Sequence, residues 1–150
     1  MRQDFQVLGN LYIPNVDISL RYPLFEGPHW GHRVPRQVLS IANRGPSSAA
    51  NHWHHDQPLD IGLILWSNMF PTEIRLSDGR IVTAKPFDVV LLDNANVHHR
   101  TPEYVVKLAQ RGASINRYLI RGIYDGYPSD DVISEWKNQL ARKKTLVSAS

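Results

Sequence analysis

Thr72-Glu73-Ile74-Arg75-Leu76-Ser77-Asp78-Gly79-Arg80-Ile81-Val82-Thr83 is the stretch that decides the fold class. Two short runs, 72–76 and 80–83, flank an Asp-Gly pair of the kind that favours a tight β-hairpin. The same texture continues in both directions. Downstream, runs at 87–92, 96–101 and 115–124 are rich in β-branched and aromatic residues; upstream, 36–42, 51–56 and 61–67 read the same way. Turn signals separate them, notably Arg44-Gly45-Pro46-Ser47-Ser48 and the loop 68–71. Eight short strands at these spacings predict a mainly β, double-sheet jelly roll over about residues 36–124.

The flanks differ. Residues 1–35 carry scattered Pro and Gly and read as an irregular arm with a short strand near 11–13. Beyond the last strand, Ser129 is placed to cap a helix whose first turn holds Asp130 and Asp131, favourable near the positive helix end. Val132, Trp136 and Leu140 recur every four residues and form an apolar stripe expected to pack on the outside of the barrel.

A length of 150 residues predicts one domain, 1–150, with a moderate core. The chain has no cysteine, which excludes disulfides and thiolate chemistry and suits a reducing compartment. No apolar run reaches bilayer length, and Met1-Arg2-Gln3-Asp4-Phe5 lacks the plan of a signal peptide. The expectation is a cytoplasmic protein with no membrane partner. The formal charge of +3 is mild, and Arg142-Lys143-Lys144 reads as a solvated tail, so a nucleic-acid partner is not expected.

The histidines are the chemical signal. Five of the seven fall in His52-Trp53-His54-His55-Asp56 and Asp93-Asn94-Ala95-Asn96-Val97-His98-His99-Arg100. Residues two apart in a strand project to one face, so His54 and Asp56 can reach one ion while His55 points away. A distant histidine, His98 or His99, would complete two imidazoles and a carboxylate, the facial triad of a non-haem Fe(II) site. The rival assignment is an all-histidine cupin-like site from His52, His54 and one of His98 or His99. A third possibility is a non-catalytic jelly-roll module whose histidines hydrogen-bond a ligand. His29 and His32 read as ordinary surface or core histidines.

Arg117 and Arg121, four apart in the last strand, share a face with Ile115, Leu119 and Ile123. If that face is buried, each guanidinium needs an anion, and arginine grips a carboxylate with paired hydrogen bonds. If Tyr118, Ile120 and Tyr124 form the buried face, both arginines lie in solvent.

Three of these segments resemble, in order, motifs of the Fe(II)/2-oxoglutarate-dependent oxygenases, whose fold is a double-stranded β-helix. Trp53-His54-His55-Asp56 is similar to the Trp-His-x-Asp of the taurine and phenoxyacetate dioxygenase branch. Asp93-Asn94 with His99-Arg100 is similar to that branch's Asp-Asn-x-x-x-x-His-Arg, and Arg117 to Arg121 to its final-strand Arg-x-x-x-Arg. The resemblance covers roughly residues 36–124. It implies Fe(II) on His54, Asp56 and His99, with Arg117 on the distal carboxylate of 2-oxoglutarate. Arg121 would then face the iron-bound carboxylate or the substrate, and Thr72 would assist Arg117. The implied activity is hydroxylation of a substrate C–H bond with release of succinate and carbon dioxide. The stretch between Asp56 and His99 is short beside that branch and leaves little material to cover a pocket. A small or carrier-borne substrate is therefore expected, with a second subunit in a homodimer able to complete the pocket.

Overall fold

The computed structural model of the chain describes residues 3–12, 38–43, 51–55, 62–67, 70–112, 115–123 and 127–143; for 38–43 and 115–123 it describes the backbone and its pairing. In chain order the elements are β1 (Phe5–Asn10), β2 (Val38–Asn43), β3 (Gly62–Ser67), β4 (Thr72–Arg75), β5 (Ile81–Ala84) and β6 (Asp88–Asp93). They continue with β7 (His98–Arg100), α1 (Glu103–Gln110), β8 (Ile115–Ile123) and α2 (Asp130–Lys143). The strands form two antiparallel sheets, β1-β6-β3-β8-β2 and β5-β4-β7.

The hairpin expected from the Asp-Gly pair joins β4 and β5, with Arg75 opposite Ile81 and Thr72 opposite Ala84. Gly79 takes a φ of 89°, a left-handed conformation that side chains disfavour. The Asp78 carboxylate accepts from the Arg80 backbone N–H at 3.0 Å and from its Nε at 2.7 Å, and these bonds hold the carboxyl below its ordinary pKa. The strand expected at 87–92 starts one residue later, because Phe87 sits in the left-handed region at φ 70° and ends the preceding turn.

Alternation along β3 divides the core. All six of its residues are buried. Leu63 and Leu65 join Val90 and Leu92 from the same sheet and Ile74, Leu76, Ala84 and Val97 from the small-sheet side in one apolar cluster. The facing pleat of the large sheet carries Ile64, Trp66, Val89 and Leu91. These pack with Leu8 and Leu11 beneath Ile133, Trp136 and Leu140 of α2. The order of layers is therefore α2, large sheet, small sheet.

The α2 cap and stripe appear where expected. Ser129 Oγ accepts from the Val132 N–H at 3.4 Å, and Asp130 and Asp131 occupy the first turn. Trp136 and Leu140 are buried, Val132 partly so, and Ile133 widens the stripe. A Cβ on Gly9 would stand 3.1 Å from Leu140 Cβ, so β1 and α2 meet where β1 has no side chain. Replacing the cap, Ser129→Ala, is expected to cost about 1 kcal/mol. In a calorimetric scan this should lower Tm by roughly 2–4 °C.

Three expectations are corrected. The N-terminal strand is Phe5–Asn10, paired with β6, and not 11–13; Tyr12 makes only an isolated bridge and residue 13 lies outside the described residues. Its partner is far along the chain, so no local turn marks it. Between the strands expected at 96–101 and 115–124, where the sequence predicts no regular element, Glu103–Gln110 forms α1. Pro102 is tolerated beside a helix start, and burial of Val105 and Val106 overrides their modest helix propensity. Of the strand expected at 51–56, residues 51–55 are described and make one bridge, at His54; residue 56 lies outside the described residues. No helix among the described residues is long and apolar enough to cross a membrane.

Candidate metal centre

β7 is only three residues long, but it positions the site. One edge pairs with β4, placing Ile74 opposite His99, Arg75 opposite His98 and Glu73 opposite Arg100. The other edge takes the bridge from His54: its N–H donates to His99 O at 3.2 Å, and the His99 N–H donates back to His54 O at 2.9 Å. Directly opposed residues of an antiparallel ladder share a face. Ile74 and His99 are both buried, so His99 and His54 lie on the side of the small sheet that meets the core. Their neighbours in sequence, His98 and His55, lie on the other side.

The rings follow the backbone. His54 and His99 have centroids 4.4 Å apart at 61°, and His55 and His98 are 3.8 Å apart at 47°. Four imidazoles thus form two pairs on opposite faces. His54 Nδ1 is 2.8 Å from His52 O; a carbonyl only accepts, so Nδ1 carries the proton and Nε2 is the nitrogen with the lone pair, the one that could ligate a metal. With a metal–nitrogen bond of about 2.1 Å, two imidazoles at right angles about one ion have centroids about 4.6 Å apart. A tetrahedral pair would be nearer 5.4 Å by the same estimate. The His54–His99 spacing fits adjacent positions of an octahedron.

The position of His99, and not that of His98, is the one beside His54. His52 lies 5.6 Å from His54, ring centre to ring centre. Among the described residues no group of three His, Cys, Asp or Glu side chains is placed to hold a metal, so His52, His54 and either of His98 or His99 do not form the all-histidine set. Asp56 lies outside the described residues, two positions past His54.

Thr72 is buried on the same face of β4 as Ile74. In the facing sheet, Arg121 is opposite Leu65 and Arg117 is opposite Ile41. Positions 117, 119, 121 and 123 therefore share the pleat of Leu63 and Leu65, the side that packs against the small sheet. Ile120 is opposite Trp66, on the α2 side. The side chains of 115–123 lie outside the described residues, so the backbone register gives the pleat of each position and no burial.

A support that the sequence reading missed lies on the outer face of the small sheet. The His54–His99 register sets Trp53 opposite Arg100. The Arg100 guanidinium carbon lies 4.2 Å from the Trp53 ring centre and that of Arg75 lies 5.0 Å from it, while Arg100 Nε donates to Glu73 Oε1 at 3.2 Å. These contacts hold the 53–55 segment to β7 beside its single bridge. The available signal was positional: Trp53 precedes His54, Arg100 follows His99, and antiparallel pairing of the two histidines opposes Trp53 and Arg100. Trp53→Ala removes both cation–π contacts. It is expected to weaken binding of a first-row divalent ion by about tenfold, in the range for residues that orient ligands. Anaerobic titration calorimetry checks it.

His98, half-buried, has its pKa held below the ordinary histidine value by burial first, then by His55 and Arg75 nearby. No protein-family model matches the chain, and comparison with curated proteins finds no match.

Proposed function

We propose that this protein is an Fe(II)- and 2-oxoglutarate-dependent oxygenase that hydroxylates a C–H bond of a small or carrier-borne substrate. The balanced reaction is R–H + 2-oxoglutarate + O2 → R–OH + succinate + CO2. The observation that carries the reading is the cross-strand pair His54 and His99, with the spacing of two adjacent ligands of one octahedral ion. Asp56, two residues beyond His54, would supply the carboxylate of the facial triad. Iron bound there would supply the oxygen activation and the redox chemistry.

The chain's own residues orient and anchor. The Nδ1–H bond to His52 O sets the tautomer of His54. Arg117 would hold the distal carboxylate of 2-oxoglutarate by paired hydrogen bonds, Arg121 the second anionic group or the substrate, and Thr72 would support Arg117. The pleat shared by positions 117 and 121 with Leu65 supports this, since Leu65 packs with Ile74, the neighbour of His99. The strand order supports a double-stranded β-helix for the same reason. Along the chain, β2, β3, β6 and β8 enter one sheet, while the His54 bridge, β4, β5 and β7 belong to the other.

Release of labelled carbon dioxide from 1-labelled 2-oxoglutarate tests the assignment. Release should require Fe(II), and Arg117→Ala should raise the 2-oxoglutarate concentration needed by roughly 100-fold, the usual loss for one partner of a buried charged pair. Release that ignores added Fe(II), or an unchanged concentration dependence in Arg117→Ala, would overturn it.

A further inference from the structure

We propose that His55 and His98 form a second metal site, on the outer face of the small sheet, a two-imidazole chelate for a borderline divalent ion such as Cu(II), Ni(II) or Zn(II). It holds whether or not His54 and His99 bind iron. His54 and His99 exchange both backbone hydrogen bonds, so the next pair along, His55 and His98, occupies the non-hydrogen-bonded register. There Cα atoms approach to about 4.5 Å and side chains stand closest. The ring centroids are 3.8 Å apart. Opening them by less than an ångström, a small side-chain rotation, reaches the ~4.6 Å of two imidazoles on one ion.

The donor atoms are set by hydrogen bonding. His55 Nδ1 lies 2.7 Å from the Asn94 carbonyl oxygen, which only accepts, so Nδ1 carries the proton and Nε2 presents its lone pair. No thiolate competes, because the chain has no cysteine. The acidic side chain on this face of β4, Glu73, is paired with Arg100. The donors are thus two neutral nitrogens, which select imidazole-preferring ions over Mg(II) or Ca(II). Arg75, opposite His98, opposes a cation electrostatically, although its guanidinium is drawn over Trp53. Affinity is limited by that charge and by having only two protein ligands. An ion held there would cross-link the 53–55 segment to β7 a second time, on the face away from His54.

Copper titration of the full chain at pH 8, followed by electron paramagnetic resonance, tests the site. His98→Gln and, separately, His55→Gln should each remove one equivalent of bound Cu(II) with imidazole-nitrogen splitting; histidines elsewhere, such as His29 and His32, contribute equally to every variant. Arg75→Gln should tighten that equivalent several-fold. Circular dichroism reports whether each variant is folded, and His55→Ala stands in for a variant that is not. An isotherm unchanged in folded His55→Gln and His98→Gln would overturn the proposal. Cu(II) binding weakened in folded Arg75→Gln would also overturn it, because removing a positive charge opposite His98 can only favour an ion held there.

Discussion

His99→Ala is expected to weaken binding of Fe(II), or of Co(II) as its air-stable substitute, by roughly 100-fold or more. Losing a residue that merely orients a metal ligand costs about 10–100-fold. Losing a ligand itself should therefore meet or exceed that range. His99 is buried between Ile74 on one side and His54 on the other, and its ring is 4.4 Å from that of His54. Alanine keeps the backbone bridge to His54, since both of its hydrogen bonds are made by main-chain atoms. The fold should survive while the tighter class of metal site is lost. His98→Ala is the matched control: it truncates the adjacent histidine on the opposite face and should leave the affinity of the inner site near the wild-type value. Titration calorimetry under argon, with circular dichroism to confirm folding, distinguishes the two.

Trp136→Ala is expected to destabilise the protein by about 3–5 kcal/mol, the usual cost of emptying a buried aromatic position. Trp136 is fully buried in the cluster that joins α2 to the outer pleat of the large sheet, among Leu8, Leu11, Ile64 and Trp66. Trp66 is itself pinned there by a 2.7 Å bond from its Nε1 to Leu11 O. Ile133 and Leu140 pack in the same cluster, and Trp136 is its largest contribution from α2. Against a typical domain stability of about 5–15 kcal/mol, the loss is a large share of the whole. Urea denaturation should show a much lower midpoint. Under conditions where the variant is folded its metal affinity should stay near wild type, because the large sheet separates α2 from His54 and His99.

Local chemistry made part of this molecule legible. The Asp78-Gly79 hairpin, the Ser129 cap and the Trp136–Leu140 stripe depend on neighbours close in sequence, and each appears where its residues predict it. The histidine pairing was half legible. Period-two alternation separates His54 from His55 and His98 from His99, but the register that joins the segments comes from tertiary structure. For the same reason Trp53 over Arg100 was not anticipated from either motif alone. β1 escaped because Phe5–Asn10 finds its partner in β6, and α1 because burial of Val105 and Val106 prevails over the breakers around it. Asp56, the proposed carboxylate ligand, lies outside the described residues, and the motif that singles it out is read from the sequence alone.

The most direct test of the central claim is an anaerobic visible spectrum of the protein with Fe(II) and 2-oxoglutarate. A keto acid chelated to iron on two histidines and a carboxylate gives a weak metal-to-ligand charge-transfer band. The band should appear only when protein, metal and 2-oxoglutarate are all present, and it should vanish in His54→Ala, Asp56→Ala and His99→Ala. A wild-type protein without the band, or a band that persists in folded His99→Ala, would contradict the assignment of iron to this pair of strands.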